Sequence, residues 1–196
     1  FYAVKANPAP ELLSLLASLG SCFDTASVAE IEMALAAGAT ADRISYGNTI
    51  KKERDIARAF ALGVRLFAVD SRQEVEKIAR AAPGVRVFCR FLYDCAGADW
   101  PLSRKFGCDT EMAVEVLEYA QRLGLDPCGV SFHVGSQQLR TKAWDEALKS
   151  AAAIFRACAE RGIALTMVNL GGGFPAKYLK DVPTVKAYGR SIFRAL

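Results

Sequence analysis

The chain is 196 residues long and 52% hydrophobic, with 25 basic against 21 acidic residues and a net charge of +4. That is enough apolar material for one substantial core. The basic groups (Lys51–Lys52, Arg54, Arg58, Arg104–Lys105) are scattered without interleaved aromatics, so neither nucleic acid nor a charged membrane surface is an expected partner.

Strand-like and helical runs alternate along the chain. FYAVKA reads as a strand. A helix follows over APELLSLLASLG, with an apolar face of Leu12, Leu13, Leu15, Leu16 and Leu19, prolines at its start and Gly20 at its stop. CFDTA leads into SVAEIEMALAAG, where Ser27 and Glu30 have capping-box spacing and Gly38 closes the helix. RISYGN precedes a helix expected from Ile50 to Leu62. RLFAVD leads to a second capping box, Ser71 with Glu74, and a helix ending near Pro83–Gly84. VRVFCRFL follows, and then a longer connection, YDCAGADWPLSRKFGCD, before the helix EMAVEVLEYAQRLG. PCGVSFHVGS and LTMVNLGGG are two further strands around a long helix expected from Lys142 to Arg161, and the last residues begin another helix.

Such a βα series implies parallel strands joined by helical crossovers. Two architectures fit: an open doubly wound sheet, or a (β/α)8 TIM barrel with about seven of its βα units present. The lack of a reversal signal or an early GxGxxG favours the barrel, as one domain over residues 1–196. The chain starts without Met inside a strand and ends in an uncapped helical run, so a fragment of a longer protein is expected. Six cysteines (Cys22, Cys89, Cys95, Cys108, Cys128, Cys158) lie far apart with no CxxC. That argues against a zinc site or a disulfide scaffold and for a cytoplasmic setting. No signal peptide or membrane span is visible.

A barrel demands that its chemistry sit at the C-terminal ends of the strands. Lys5, Asp24, Asn48, Asp70, Arg90, His133 and Gly171–Gly173 all fall there. Alternation puts Ala3 and Lys5 on one face, so Lys5 enters the mouth beside a small neighbour. An imine-forming amine, with a reference pKa of about 10.4, needs partial desolvation or a nearby positive charge. A snorkelling strand-end lysine is the competing reading. Three glycines in NLGGGFP let backbone N–H groups approach a phosphate closely, against the alternative of a tight turn. His133 in SFHVGSQ is the only histidine, and Ser136 could donate to a phosphate oxygen or cap the following helix. Glu30 is explained locally by its capping box, whereas Asp24 is not. Ser103, Arg104 and Lys105 put polar and cationic groups in the long connection, where solvated surface is the plain reading. Lysine, phosphate loop, histidine and acid at one mouth are the parts that pyridoxal 5'-phosphate (PLP) requires.

YAVKAN, FDTAS, YGN, PLSRKFG, FHVGSQ and LGGGFP, in that order, resemble the barrel domain of the fold-type III, PLP-dependent amino-acid decarboxylases of the alanine racemase/ornithine decarboxylase type. The resemblance covers essentially the whole chain. It implies that Lys5 carries the cofactor as a Schiff base and that His133 stacks on the pyridoxal ring. Ser136 and the glycines Gly171, Gly172 and Gly173 would bind the phosphate, with Asp24 and Glu30 as active-site acids, Glu30 in a supporting place. Pro101 stands where animal members carry an arginine, and Arg104 is the candidate replacement. The implied reaction is decarboxylation of a basic amino acid, first L-ornithine to putrescine, in a homodimer. Alternatives are lysine/ornithine or diaminopimelate decarboxylation, or a non-catalytic binding homologue. The family's eighth strand and C-terminal sheet domain have no counterpart here, so the fragment alone is expected to be inactive.

Overall fold

Each strand of the main sheet joins the same growing edge. The computed structural model describes residues 1–93, 98–100, 106–179 and 181–196. Its parallel strands are β1 (Tyr2–Ala3), β2 (Phe23–Thr25), β3 (Ile44–Tyr46), β4 (Leu66–Val69), β5 (Arg86–Arg90), β7 (Asp126–Ser131) and β9 (Met167–Asn169), side by side in that order. A separate antiparallel pair, β6 (Ala98–Trp100) with β8 (Ser136–Gln138), lies outside this sheet. A doubly wound sheet requires the strand order to reverse. Here it never does, and the seven strands form the curled, incomplete barrel expected from the sequence.

The crossovers are α1 (Pro10–Ser18), α2 (Val28–Ala36), α3 (Glu53–Ala61), α4 (Arg72–Ala81), α5 (Thr110–Arg122) and α6 (Ala143–Ala159), followed by α7 (Val185–Ala195). Strand alternation sorts the core into two layers, broken only at β7, where a register shift opposite Val87 and Phe88 puts Cys128 and Val130 in different layers. Phe23, Ile44, Phe67, Val87 and Val130 face outward and pack with Leu13, Ile31, Ile56, Ile78 and Leu117 of the helices. Inside the curl a smaller cluster forms from Ala68, Phe88 and Cys128, with Leu66 and Met167 against it. No helix among the described residues is long and apolar enough to cross a membrane.

Three expectations change in detail. The first strand ends at Ala3, and Lys5 sits in a 3₁₀ turn, Val4–Ala6, that buries Val4. The long connection contains β6, whose antiparallel partner β8 comes only after α5 and β7, with Ala98 opposite Gln138. At the Ser27–Glu30 box Glu30 N–H donates to Ser27 Oγ at 3.3 Å, while the Glu30 carboxylate reaches one residue past the cap and accepts from Ala26 N–H at 2.8 Å. The second box forms by half. Ser71 Oγ accepts from Glu74 N–H at 3.3 Å, but the Glu74 carboxylate turns to Lys51.

Lys51, one of the scattered basic groups of the sequence, is therefore a core residue. Its Nζ lies 3.0 Å from Glu74 Oε1 with no side-chain exposure, and donates to the carbonyls of Asn48 (2.8 Å) and Ala68 (2.6 Å). Burial pulls its pKa down to about 8, with Glu74 opposing, so the ammonium stays charged at neutral pH. Drawing Lys51 inside delays the start of α3 to Glu53. Removing one member of a buried pair strands the other charge, so Glu74→Ala should cost about 3–5 kcal/mol. Denaturant midpoints should show a much smaller loss for Lys51→Met combined with Glu74→Leu; equal losses would show that the pair's charge is not the issue.

Candidate active site

A cleft of about 250 Å3 opens at the C-terminal rim of the sheet, where Lys5, Asp24, Arg90, His133, Gly171 and Gly172 meet. A groove of about 390 Å3 between α5 and α6 is larger, but it lies on the outer helical surface away from every strand end. Parallel strands place ligand chemistry at their carboxyl ends, which selects the rim cleft. Lys5 and Ala3 both line it while Val4 is buried; Lys5 thus reaches the expected side, although from the 3₁₀ turn and not from the strand.

Asp24 is held by β2 and β3 together. Ser45 Oγ donates to its Oδ1 at 2.8 Å, and Gly47 lies so close that an added Cβ would stand 2.0 Å from that oxygen. Glycine in YGN is thus a requirement of close approach. Burial raises the Asp24 pKa above the usual carboxyl range, against the Ser45 hydrogen bond and the Lys5 charge, and Glu30 adds to the rise. Glu30 itself stays in the capping box and reaches the cleft only through its charge.

His133 follows β7. Its Nδ1 accepts from Gly135 N–H at 2.9 Å, so the neutral ring carries its proton on Nε2. Burial, with Arg90 and Lys5 nearby, pushes its pKa down to about 4. At neutral pH the cleft therefore presents an uncharged imidazole, with Arg90 and Lys5 in the same cleft.

The triple-glycine loop folds directly onto the His133 loop. An added Cβ at Gly171 (φ 65°) would come 2.3 Å from the Phe132 carbonyl, and one at Gly173 (φ 92°) 2.2 Å from the Gly135 carbonyl. An added Cβ at Gly172 would face His133 Nε2 at 3.8 Å instead, toward the cleft. Phe174 then stacks on Trp144 at 4.9 Å and meets Tyr188 edge-on at 5.6 Å, which anchors the loop to α6 and α7.

Not every expected group lines the cleft. Ser136 opens β8 opposite Trp100, and Gly173 packs one step outward. Ser136 does not cap α6, which begins seven residues later at Ala143 (143 − 136 = 7). Asp70 accepts from Gly107 N–H at 3.0 Å. Asn48 Nδ2 approaches the Ala26 carbonyl at 3.5 Å. Arg104, with Ser103 and Lys105, lies outside the described residues. Arg90, one of the strand-end groups expected at the rim, does line the cleft, and so do Ser131 and Asn169, which the motifs do not single out as binding groups. Their signal in the sequence is only a polar residue closing an apolar strand.

Two measurements test this geometry. Gly47→Ala must displace Asp24 or the β3 end, with a loss of about 1–3 kcal/mol expected in denaturant unfolding. The His133 imidazole proton resonance, assigned by its disappearance in His133→Gln, should titrate near pH 4 instead of near 6.5. Between those values the unfolded chain binds a proton that the folded chain refuses, so this group lowers stability as pH falls from 6.5 to 4.

The whole chain, residues 1–196, matches the family "pyridoxal-dependent decarboxylase, pyridoxal binding domain". Among curated proteins it is 44% identical over 182 residues to a lysine/ornithine decarboxylase of Selenomonas ruminantium, covering 93% of this chain and 46% of that protein. It is 37% identical over 175 residues to antizyme inhibitor 2 of Xenopus laevis, covering 89% and 38%. A solved structure of a mutant Selenomonas ruminantium lysine decarboxylase, in complex with PLP, aligns with a TM-score of 0.94 at 41% identity. It covers all of this chain and 51% of that one. The chain spans about half the length of the relatives it matches, or less. A rim cleft with Lys5, His133 and the glycine loop, on a fold matched from end to end, settles the kinship: this chain belongs to the pyridoxal-binding domain family of the pyridoxal-dependent decarboxylases.

Proposed function

We propose that the full-length protein decarboxylates a basic amino acid at the rim cleft with PLP as cofactor, L-ornithine to putrescine being the first substrate to test. The observation that carries this reading is the convergence of Lys5, His133 and the glycine loop in one cleft. The residues fit the group. Lys5 supplies an amine facing the cleft, His133 a flat uncharged ring, and Gly171 and Gly172 a stretch of bare backbone along the cleft wall. When bound, PLP supplies an aldehyde carbon for covalent attachment and an electron-poor ring that takes up the electron pair left by departing CO2.

The chain's own groups divide the remaining work. Lys5 Nζ anchors the cofactor, and His133 holds the ring flat without adding charge. Gly171 N–H already donates to Asn169 Oδ1 at 2.9 Å, so the amides assigned to a phosphate are those of Gly172 and Gly173, with Ser136 and Arg104 as further candidates. Asp24 and Glu30 give the opposite wall its negative character. The remaining groups of a decarboxylase site belong, on this reading, to an eighth strand and to the second subunit of a cytoplasmic homodimer.

In the full-length protein, borohydride should trap PLP on Lys5. Lys5→Ala should abolish that adduct and reduce turnover by about 100-fold or more, the scale of losing a positioned catalytic group. Trapping on another lysine would overturn the assignment. Release of CO2 from ornithine, lysine, arginine and diaminopimelate then ranks the substrates. PLP binding without release from any of the four would mark a binding homologue of the antizyme-inhibitor kind.

A further inference from the structure

Gln137 stands out among the described residues as the one non-glycine with positive φ, at 53°. This left-handed conformation is unfavourable for a residue with a Cβ, and it persists only where the surroundings enforce it. Gln137 is the middle residue of β8, between Ser136 and Gln138 and just after the His133 loop. Its side chain crosses to the neighbouring loop: Oε1 accepts from Ala176 N–H at 2.9 Å, just beyond Gly171–Gly173. The next residue repeats the link through the backbone, because Gln138 N–H donates to the Gly173 carbonyl at 2.9 Å. Gln138 is itself fixed, with Nε2 donating to the Val134 carbonyl at 2.9 Å and its carbonyl accepting from the Tyr188 hydroxyl at 2.7 Å.

We infer that Gln137 is a positioning residue for the cofactor phosphate: its side chain clips the glycine loop to the Ser136 loop, and its left-handed backbone aims the side chain there. The inference rests on the PLP reading of the cleft. Three consecutive glycines are the most flexible backbone a loop can have, and ordering them when an anion binds costs conformational entropy. A clip formed beforehand removes part of that cost and therefore tightens binding without touching the ligand. The strain at Gln137 and the hydrogen bond it makes are separable, which makes the role testable.

Gln137→Ala loses the clip and keeps the strained backbone, whereas Gln137→Gly loses the clip and relieves the strain. In the full-length protein, titration with PLP followed by absorbance should show both variants binding roughly fivefold more weakly than the wild type, the scale of one lost hydrogen bond. Thermal melting should separate them, with Gln137→Gly above Gln137→Ala. Hydrogen exchange at the Ala176 amide should be slow in the wild type and fast in both variants, with or without PLP. Unchanged PLP affinity in both variants would overturn the inference. So would affinity that follows melting temperature, or Ala176 exchange equal in all three proteins. A wild-type protein that fails to bind PLP would overturn the functional reading instead, with the clip still judged by Ala176 exchange.

Discussion

Parallel pairing in register brings the inward side chains of successive strands level with one another, and the cleft is made by that levelling. Ala3 lies opposite Asp24, and Asp24 opposite Ser45. On the other side Arg90 lies opposite Ser131, and Ser131 opposite Asn169. These are two inward rows, one at each end of the curl. In a closed barrel strands tilt and stagger, so different rows reach the rim on different strands. The incomplete barrel already has this property, and the cleft lies between the two rows.

Rim chemistry of this kind needs backbone that can come unusually close. Gly47 admits the Asp24 carboxylate, while Gly171 and Gly173 admit the carbonyls of the His133 loop. The result is two joined walls: an acidic one built on β2 and β3, and one of glycine backbone and neutral imidazole built on β7 and β9. Lys5 stands where both walls can feel its charge, which opposes the burial that raises the Asp24 pKa and adds to the burial that lowers the His133 pKa. Such a balance suits a cofactor with an anionic phosphate and an aromatic ring better than it suits a metal. Among the described residues no group of three or more His, Cys, Asp or Glu side chains could hold a metal ion.

Away from the rim, the buried Lys51–Glu74 pair ties the loop after β3 to the end of β4 and the first turn of α4. Gly47 and Asn48 belong to that loop, so the pair also supports the wall that carries Asp24. Exposed pairs on the outer ring, such as Glu32–Arg58, Glu53–Arg80 and Arg72–Glu115, join successive helices. Their solvent exposure makes each worth little, in contrast to the buried pair.

The sequence by itself determined the βα order, the sidedness of Lys5, the Ser27 cap and the grouping of Lys5, His133 and the glycines at strand ends. All of these rest on periodicity or on residues close together in the chain. Only the tertiary structure decided which polar residues serve those groups. Lys51 and Lys52 are neighbours of the same type, yet Lys51 is buried because Glu74 and the Ala68 carbonyl meet it from two other elements. Arg90 is placed at a strand end by the sequence, but only the register of β5 with β7 sets Ser131 opposite it in the cleft. Gln137 belongs to the FHVGSQ motif, but nothing in the sequence points to its role, since its backbone conformation and its reach to Ala176 depend on how two segments 39 residues apart are brought together. Local pattern carries the element and its inward face. Register, stagger and loop contact carry the partners, because those depend on groups that become neighbours only when the sheet has curled.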